Sequence, residues 1–245
     1  MIKRIILPCI AVLSLVLLIA DCGDDDNSGP APISDNSAPT EVEDGNGNGD
    51  GENGDGDGDV AEFPTAAVPF SEGCQQSDEK QFPDGPETII DTSKTYVATI
   101  TMDSGDIVIE LFSDTPITTN NFVFLACKGY YNGLTFHRVI TGFMAQGGDP
   151  TGSGSGGPGY SIPDEDSAGH RMDAGVISMA KAGPDTTGSQ FFITYTPQPG
   201  LEPDFTVFGQ VTSGMDVVDG ITPRDPGDPN APPGDAMQSV TIEER

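Results

Sequence analysis

The sequence predicts a mainly β domain, a closed antiparallel barrel, and three observations carry that prediction. Apolar residues alternate at period two in short runs, at Tyr96–Met102, Asp106–Phe112, Val176–Ala180, Phe191–Thr194, Thr206–Val211 and Ser239–Glu243. Such alternation puts one face of each run toward a core. Turn residues separate the runs at roughly the 8–12-residue spacing of all-β folds, Asp103-Ser104-Gly105 being a hairpin signal between the first two. Helical periodicity is confined to two places, after Thr115-Pro116 and near Met215–Ile221.

Composition divides the 245 residues into three parts. Residues 1–21 read as a signal peptide: Met1-Ile2-Lys3-Arg4 is basic, and Ile5–Ala20 is apolar apart from Ser14 and Pro8. That run falls short of the roughly 20 residues that span a bilayer. It ends Leu18-Ile19-Ala20-Asp21-Cys22, which resembles a bacterial lipoprotein box with Cys22 as the lipidated first mature residue. Asp21 departs from the small residue usual before that cysteine, and an uncleaved membrane anchor is the alternative. Either way the expectation is an exported, extracytoplasmic domain held at the cell envelope.

Residues 22–88 form an acidic tether, with eighteen Asp/Glu against one Lys and runs such as Asp55-Gly56-Asp57-Gly58-Asp59. So much charge and glycine with so little apolar area cannot offset the entropy of ordering. Asp44, Asn46, Asn48, Gly49 and Asp55 meet EF-hand-like offsets, yet no helical pattern flanks them and the repeat matches by chance, so no metal site is expected. Residues 89–245 are the folded domain. The net charge of −29 repels phosphate backbones, which excludes nucleic acid as a partner.

Within the domain, Thr115 is the expected N-cap and Pro116 the first residue of a helix whose buried stripe is Phe122, Leu125 and Ala126 and whose stop is Gly129. Gly147–Gly159 is glycine-rich like a phosphate loop, but lacks the Gly-Lys-Ser/Thr ending and a following helix. His137 and His170 are the only histidines and no nucleophile elbow is present, so a Ser-His-Asp hydrolase is excluded. Cys74 and Cys127, left after Cys9 and Cys22, can form a disulfide or remain free thiols.

The central stretch is Phe136-His137-Arg138-Val139-Ile140-Thr141-Gly142-Phe143-Met144-Ala145-Gln146-Gly147-Gly148-Asp149. Strand alternation puts Phe136, Arg138 and Ile140 on one face and, after the bend at Gly142, Met144 and Gln146 on another. Arginine and glutamine there bring hydrogen-bond donors to an apolar surface. With Gly175–Pro184 continuing through Gly188–Thr194, and Phe205–Val211, this stretch resembles the cyclophilin family of peptidyl-prolyl cis-trans isomerases over roughly residues 89–245.

That resemblance implies eight strands with a helix covering each open end, and rotation about X-Pro bonds without cofactor or metal. It implies Arg138 as the key catalytic residue and Gln146 as a donor to the substrate backbone. Phe143, Met144, Phe192 and Leu201 match the proline pocket, Ala180 and the Lys181 backbone the shelf for the preceding residues, and Gln190 a pocket wall. Gly200 stands where the family has a tryptophan and Phe205 where it has a histidine. The expected partners are proline-containing polypeptides, and the expected state is a monomer. The rival reading is a module that binds proline segments without turnover.

Overall fold

The computed structural model describes residues 70–77 and 79–245. The apolar leader, Cys22 and the Gly/Asp/Asn repeat lie outside the described residues. Among the described residues no helix is long and apolar enough to cross a membrane, and no group of three or more His, Cys, Asp or Glu could hold a metal ion.

The elements run α1 (Phe70–Gly73), β1 (Tyr96–Met102), β2 (Gly105–Leu111), α2 (Pro116–Cys127), β3 (Arg138–Ile140), β4 (Met144–Gly147), β5 (Val176–Met179), β6 (Phe191–Thr194), β7 (Val207–Ser213), α3 (Met215–Asp219) and β8 (Met237–Glu244), with a 3-10 turn at Pro199–Leu201. All eight strands join one sheet in the order β3-β4-β6-β5-β7-β2-β1-β8, antiparallel at every pairing. The β1–β2 register sets Ile100 opposite Ile107 and Ala98 opposite Ile109. On its other side β1 sets Ile100 opposite Val240. Paired residues share a face, so these side chains build the core inside the curl.

The closed barrel expected from turn spacing is instead a curled half-barrel. Its edge strands β3 and β8 form no ladder with each other. They are joined only through the segment ahead of β3: Thr135 bridges Ala236, Gly133 N donates to Met237 O and Met237 N to Leu134 O at the start of β8. The three-residue β3 is too short to continue the pairing, and Val139 exchanges backbone hydrogen bonds with Arg224 instead.

Two local expectations change for physical reasons. The α2 helix begins at Pro116, but Thr115 makes no side-chain cap. Its Oγ1 points back to the Phe112 carbonyl. The Glu165 carboxylate takes over, accepting from Ile117 N at 3.1 Å and Thr118 N at 2.8 Å, where the helix dipole favours negative charge. Phe136 precedes β3 and is wholly buried in the core rather than sharing a face with Arg138.

The domain also starts earlier than residue 89. Phe70, Cys74 and Phe82 pack against the main core, and Cys74 is disulfide-bonded to Cys127. Asn120 Oδ1 accepts from Ile89 N (2.9 Å) and Ile90 N (3.3 Å), while its Nδ2 donates to Glu87 O (2.9 Å). Residues 70–90 therefore form a strap over the outer side of α2. This explains why α2 is buried from Thr118 through Cys127 instead of along one stripe: its second half, from Phe122 to Cys127, has no polar side and must be covered all round.

Candidate active site

The β3–β4 hairpin turns at Gly142, whose φ of 74° suits a residue without Cβ. Its register sets Arg138 opposite Gln146 and Ile140 opposite Met144. The next ladder sets Gln146 opposite Phe192 and Met144 opposite Thr194, and the next Ser178 opposite Phe192. Period two then divides the sheet. Val139, Ala145, Phe191, Ile193, Ile177 and Met179 face the main core. Ile140, Met144, Phe192 and Val176 face outward and found a second apolar cluster with Met172 and Val207.

Phe143, Ala180, Leu201 and Phe205 lie partly buried on that outer cluster. Phe192 and Phe205 meet edge to face at 5.8 Å. Every residue expected in the proline pocket is thus in one patch. Ile140, expected on the Arg138 face, belongs to it too, as do Phe112, Met172 and Val207, which the sequence reading did not single out. Lys181 holds Asp164 at 2.5 Å and sits 5.9 Å over the Phe205 ring.

Next to the patch lies a cavity of about 410 Å³ lined by Gln146, Ala180, Lys181, Gln190 and the 154–158 loop. Gln190 orders its rim. Its Nε2 donates to Gly154 O (3.1 Å) and Gly156 O (2.9 Å), and its Oε1 accepts from Gln146 Nε2 (2.9 Å). Gln146 keeps its own Oε1 and a second N–H for a ligand. The half-buried Arg138 side chain makes no hydrogen bond or ion pair among the described residues. An uncompensated guanidinium fork beside an apolar patch can stabilise charge developing on whatever the patch binds.

Asp149, at the end of the central stretch, has a structural job the sequence reading missed. It is buried, and its carboxylate accepts from Thr151 N (2.6 Å), Thr151 Oγ1 (2.8 Å), Gly154 N (2.5 Å) and Gly156 N (3.1 Å). Burial alone would raise its pKa, but these bonds outweigh it and hold the group at about 2. The Asp-Pro-Thr order, an Asx-turn pattern, was the available signal. His137 is buried with neither ring nitrogen hydrogen-bonded. Burial lowers its pKa; Asp149 opposes this, while Arg224 and Arg138 add to it. The other histidine, His170, stacks on Phe112 at 3.8 Å and pairs with Asp114 at 3.0 Å.

Comparison with known proteins shows the family of the domain. Residues 96–243 match the family described as cyclophilin type peptidyl-prolyl cis-trans isomerase/CLD. The chain belongs to the cyclophilin-type peptidyl-prolyl cis-trans isomerases. It is 50% identical over 137 residues to a Helicobacter pylori peptidyl-prolyl cis-trans isomerase, covering 54% of this chain and 84% of that one. It is 48% identical over 143 residues to Bacillus subtilis peptidyl-prolyl cis-trans isomerase B, covering 58% and 93%. A Cryptosporidium parvum cyclophilin-type isomerase, crystallised in the presence of the dipeptide Ala-Pro, aligns with a TM-score of 0.55 at 36% identity, over 60% of this chain and 98% of that one. The cyclophilin match begins at Tyr96, so the strap over α2 lies outside it.

Proposed function

We propose that this cyclophilin binds proline-containing segments of exported polypeptides on the outer face of its half-barrel and rotates their X-Pro bonds there. The peptide C–N bond resists rotation by about 18–20 kcal/mol because of its double-bond character. Cis and trans X-Pro differ little in energy, so the reaction is slow but nearly balanced. The task is to favour the twisted amide over both planar forms. The proline ring rests on Phe143, Met144, Phe192, Leu201 and Phe205, and the residues before it lie along Ala180 and Lys181. Gln146 holds the substrate backbone. Arg138 donates to the prolyl nitrogen as twisting restores its lone pair.

The observation that carries this reading is the direct opposition of Arg138 and Gln146 beside the outer apolar cluster. No nucleophile, metal or cofactor enters the scheme. The test is a proline-peptide isomerisation assay on the purified protein. Acceleration supports the enzyme, and binding without acceleration would replace it by a non-catalytic proline-segment module.

Export and anchoring rest on the basic start, the short apolar run and the Ile19-Ala20-Asp21-Cys22 junction. Two acyl chains on Cys22 would hold a monomeric domain at the envelope membrane where one chain binds only marginally. Mass spectrometry of the mature N-terminus tests this. A product that retains Met1, or starts elsewhere than Cys22, rules lipidation out.

A further inference from the structure

The strap before Tyr96 reaches the active-site loop as well as α2. It is fastened at Cys74–Cys127 and follows the end of α2, with Ser77 N donating to Lys128 O (3.0 Å) and Lys80 Nζ donating to Tyr130 O (2.5 Å) and Gly129 O (3.2 Å). Phe82 then meets Phe124 edge-on at 5.3 Å. From there the strap leaves the helix. Gln81 Nε2 donates to Gly157 O at 2.9 Å, and Phe82 N donates to Pro158 O at 2.7 Å. The approach is close: a Cβ on Gly159, whose φ is 93°, would stand 2.9 Å from Gln81 Oε1.

Gly157 and Pro158 directly follow Gly156, one of the two carbonyls that hold the Gln190 amide. With both Nε2 bonds committed to Gly154 and Gly156, Gln190 turns its oxygen to Gln146. A continuous path of hydrogen bonds and adjacent peptides thus runs from Gln81 to the side chain placed against substrate. Asp149 secures this loop from inside the domain, and the strap secures it from outside.

We infer that the strap segment Gln81-Phe82 positions the active site, setting through Gly157 and Pro158 the loop that orients Gln190 and Gln146. This rests on the role proposed for Gln146. Gln81 touches no substrate and acts only through the loop. Its effect therefore falls on how the residues before proline are held, and varies with their identity.

The test uses the full chain with Gln81→Glu, which keeps the shape and removes the donor, and Gln81→Lys, which restores one. The first readout is the side-chain amide resonances of Gln146 and Gln190, which need no substrate. The second is kcat/KM over a series of peptides differing in the residue before proline. We expect Gln81→Glu to shift both amide signals and lower kcat/KM by up to about tenfold, unevenly across the series, since small misplacements of a positioning group are costly. Gln81→Lys should return both toward wild type, and the exposed position leaves the unfolding midpoint nearly unchanged. Unmoved amide signals with an unchanged peptide profile overturn the inference, as does a lowered midpoint as the sole effect. A wild-type protein without isomerase activity overturns the reading of the site instead, and the amide signals still decide whether the strap orients Gln146.

Discussion

Arg138 and Gln146 stand directly opposite each other across the β3–β4 ladder, and no hydrogen bond joins their side chains. Gln146 is engaged by Gln190 at 2.9 Å, whereas the Arg138 guanidinium has no protein acceptor among the described residues. One side chain is held in place and the other is left with its donors open. That asymmetry suits a site where one group fixes the substrate backbone and the other meets charge that appears only as the bond twists.

Replacing Arg138 should therefore cost rate and spare the fold. Loss of one preorganised donor costs about 10²–10³ in rate, roughly 2.7–4 kcal/mol. Arg138→Lys should recover little, because an ammonium cannot present the same fork. Since no ion pair is broken, the unfolding midpoint should stay near wild type. Isomerisation rates beside thermal unfolding check this, and near wild-type turnover in Arg138→Ala would place the chemistry elsewhere.

Asp149 gives the domain an acid-side weakness. Its folded pKa of about 2 lies below the roughly 3.9 of an unfolded aspartate. The stabilisation is thus complete above about pH 3.9 and is lost as pH falls through about 2, amounting to no more than about 2 kcal/mol once solvent screening is allowed for. Urea midpoints between pH 5 and pH 2 should fall for the wild type and fall less for Asp149→Asn, which begins lower. Parallel curves would show that the loop does not depend on the charge.

Strand alternation made the hairpins legible in the sequence, but it set Arg138 and Gln146 on separate faces, and only the register across the Gly142 turn brings them opposite each other. It failed at Phe136, where the chain turns inward before β3, because period two holds only within a strand. It also concealed the strap. Acidic residues and prolines around Phe82 resemble the tether before them, and a few apolar side chains in such a stretch do not announce burial. The informative signal lay in the partner element: Phe122-Val123-Phe124-Leu125-Ala126-Cys127 has no polar side, so something had to cover its outer face. Capping by Glu165 is tertiary, linking residues 48 apart, and no local pattern encodes such a contact.

Gly200 predicts weak inhibition by cyclosporin-type ligands despite activity. The family's tryptophan contributes to that contact, and glycine supplies neither apolar area nor an indole donor. A Cβ at Gly200 would meet nothing within 4 Å, and the residue lies in an exposed turn beside Leu201. Gly200→Trp should therefore fold normally and bind the inhibitor more tightly. Titrating the isomerase assay with inhibitor checks both proteins. Tight inhibition of the wild type would mean that a neighbouring side chain already fills the gap.

Removing the Cys74–Cys127 bond should destabilise the domain without unfolding it. The bond closes a loop with a sequence separation of 53, and a cross-link of such length stabilises by about 2–4 kcal/mol, chiefly by restricting the unfolded chain. Phe82 on Phe124, Lys80 on the Gly129 and Tyr130 carbonyls, and Asn120 on the 87–90 backbone remain to hold the strap. The double variant Cys74→Ala/Cys127→Ala should therefore stay folded, with a lower denaturant midpoint and a largely intact β-sheet. Reductant should bring the wild type down toward the same midpoint and leave the variant where it is. The two proteins unfolding alike, with reductant making no difference to either, would show that the thiols are free and that side-chain packing alone keeps the strap on α2.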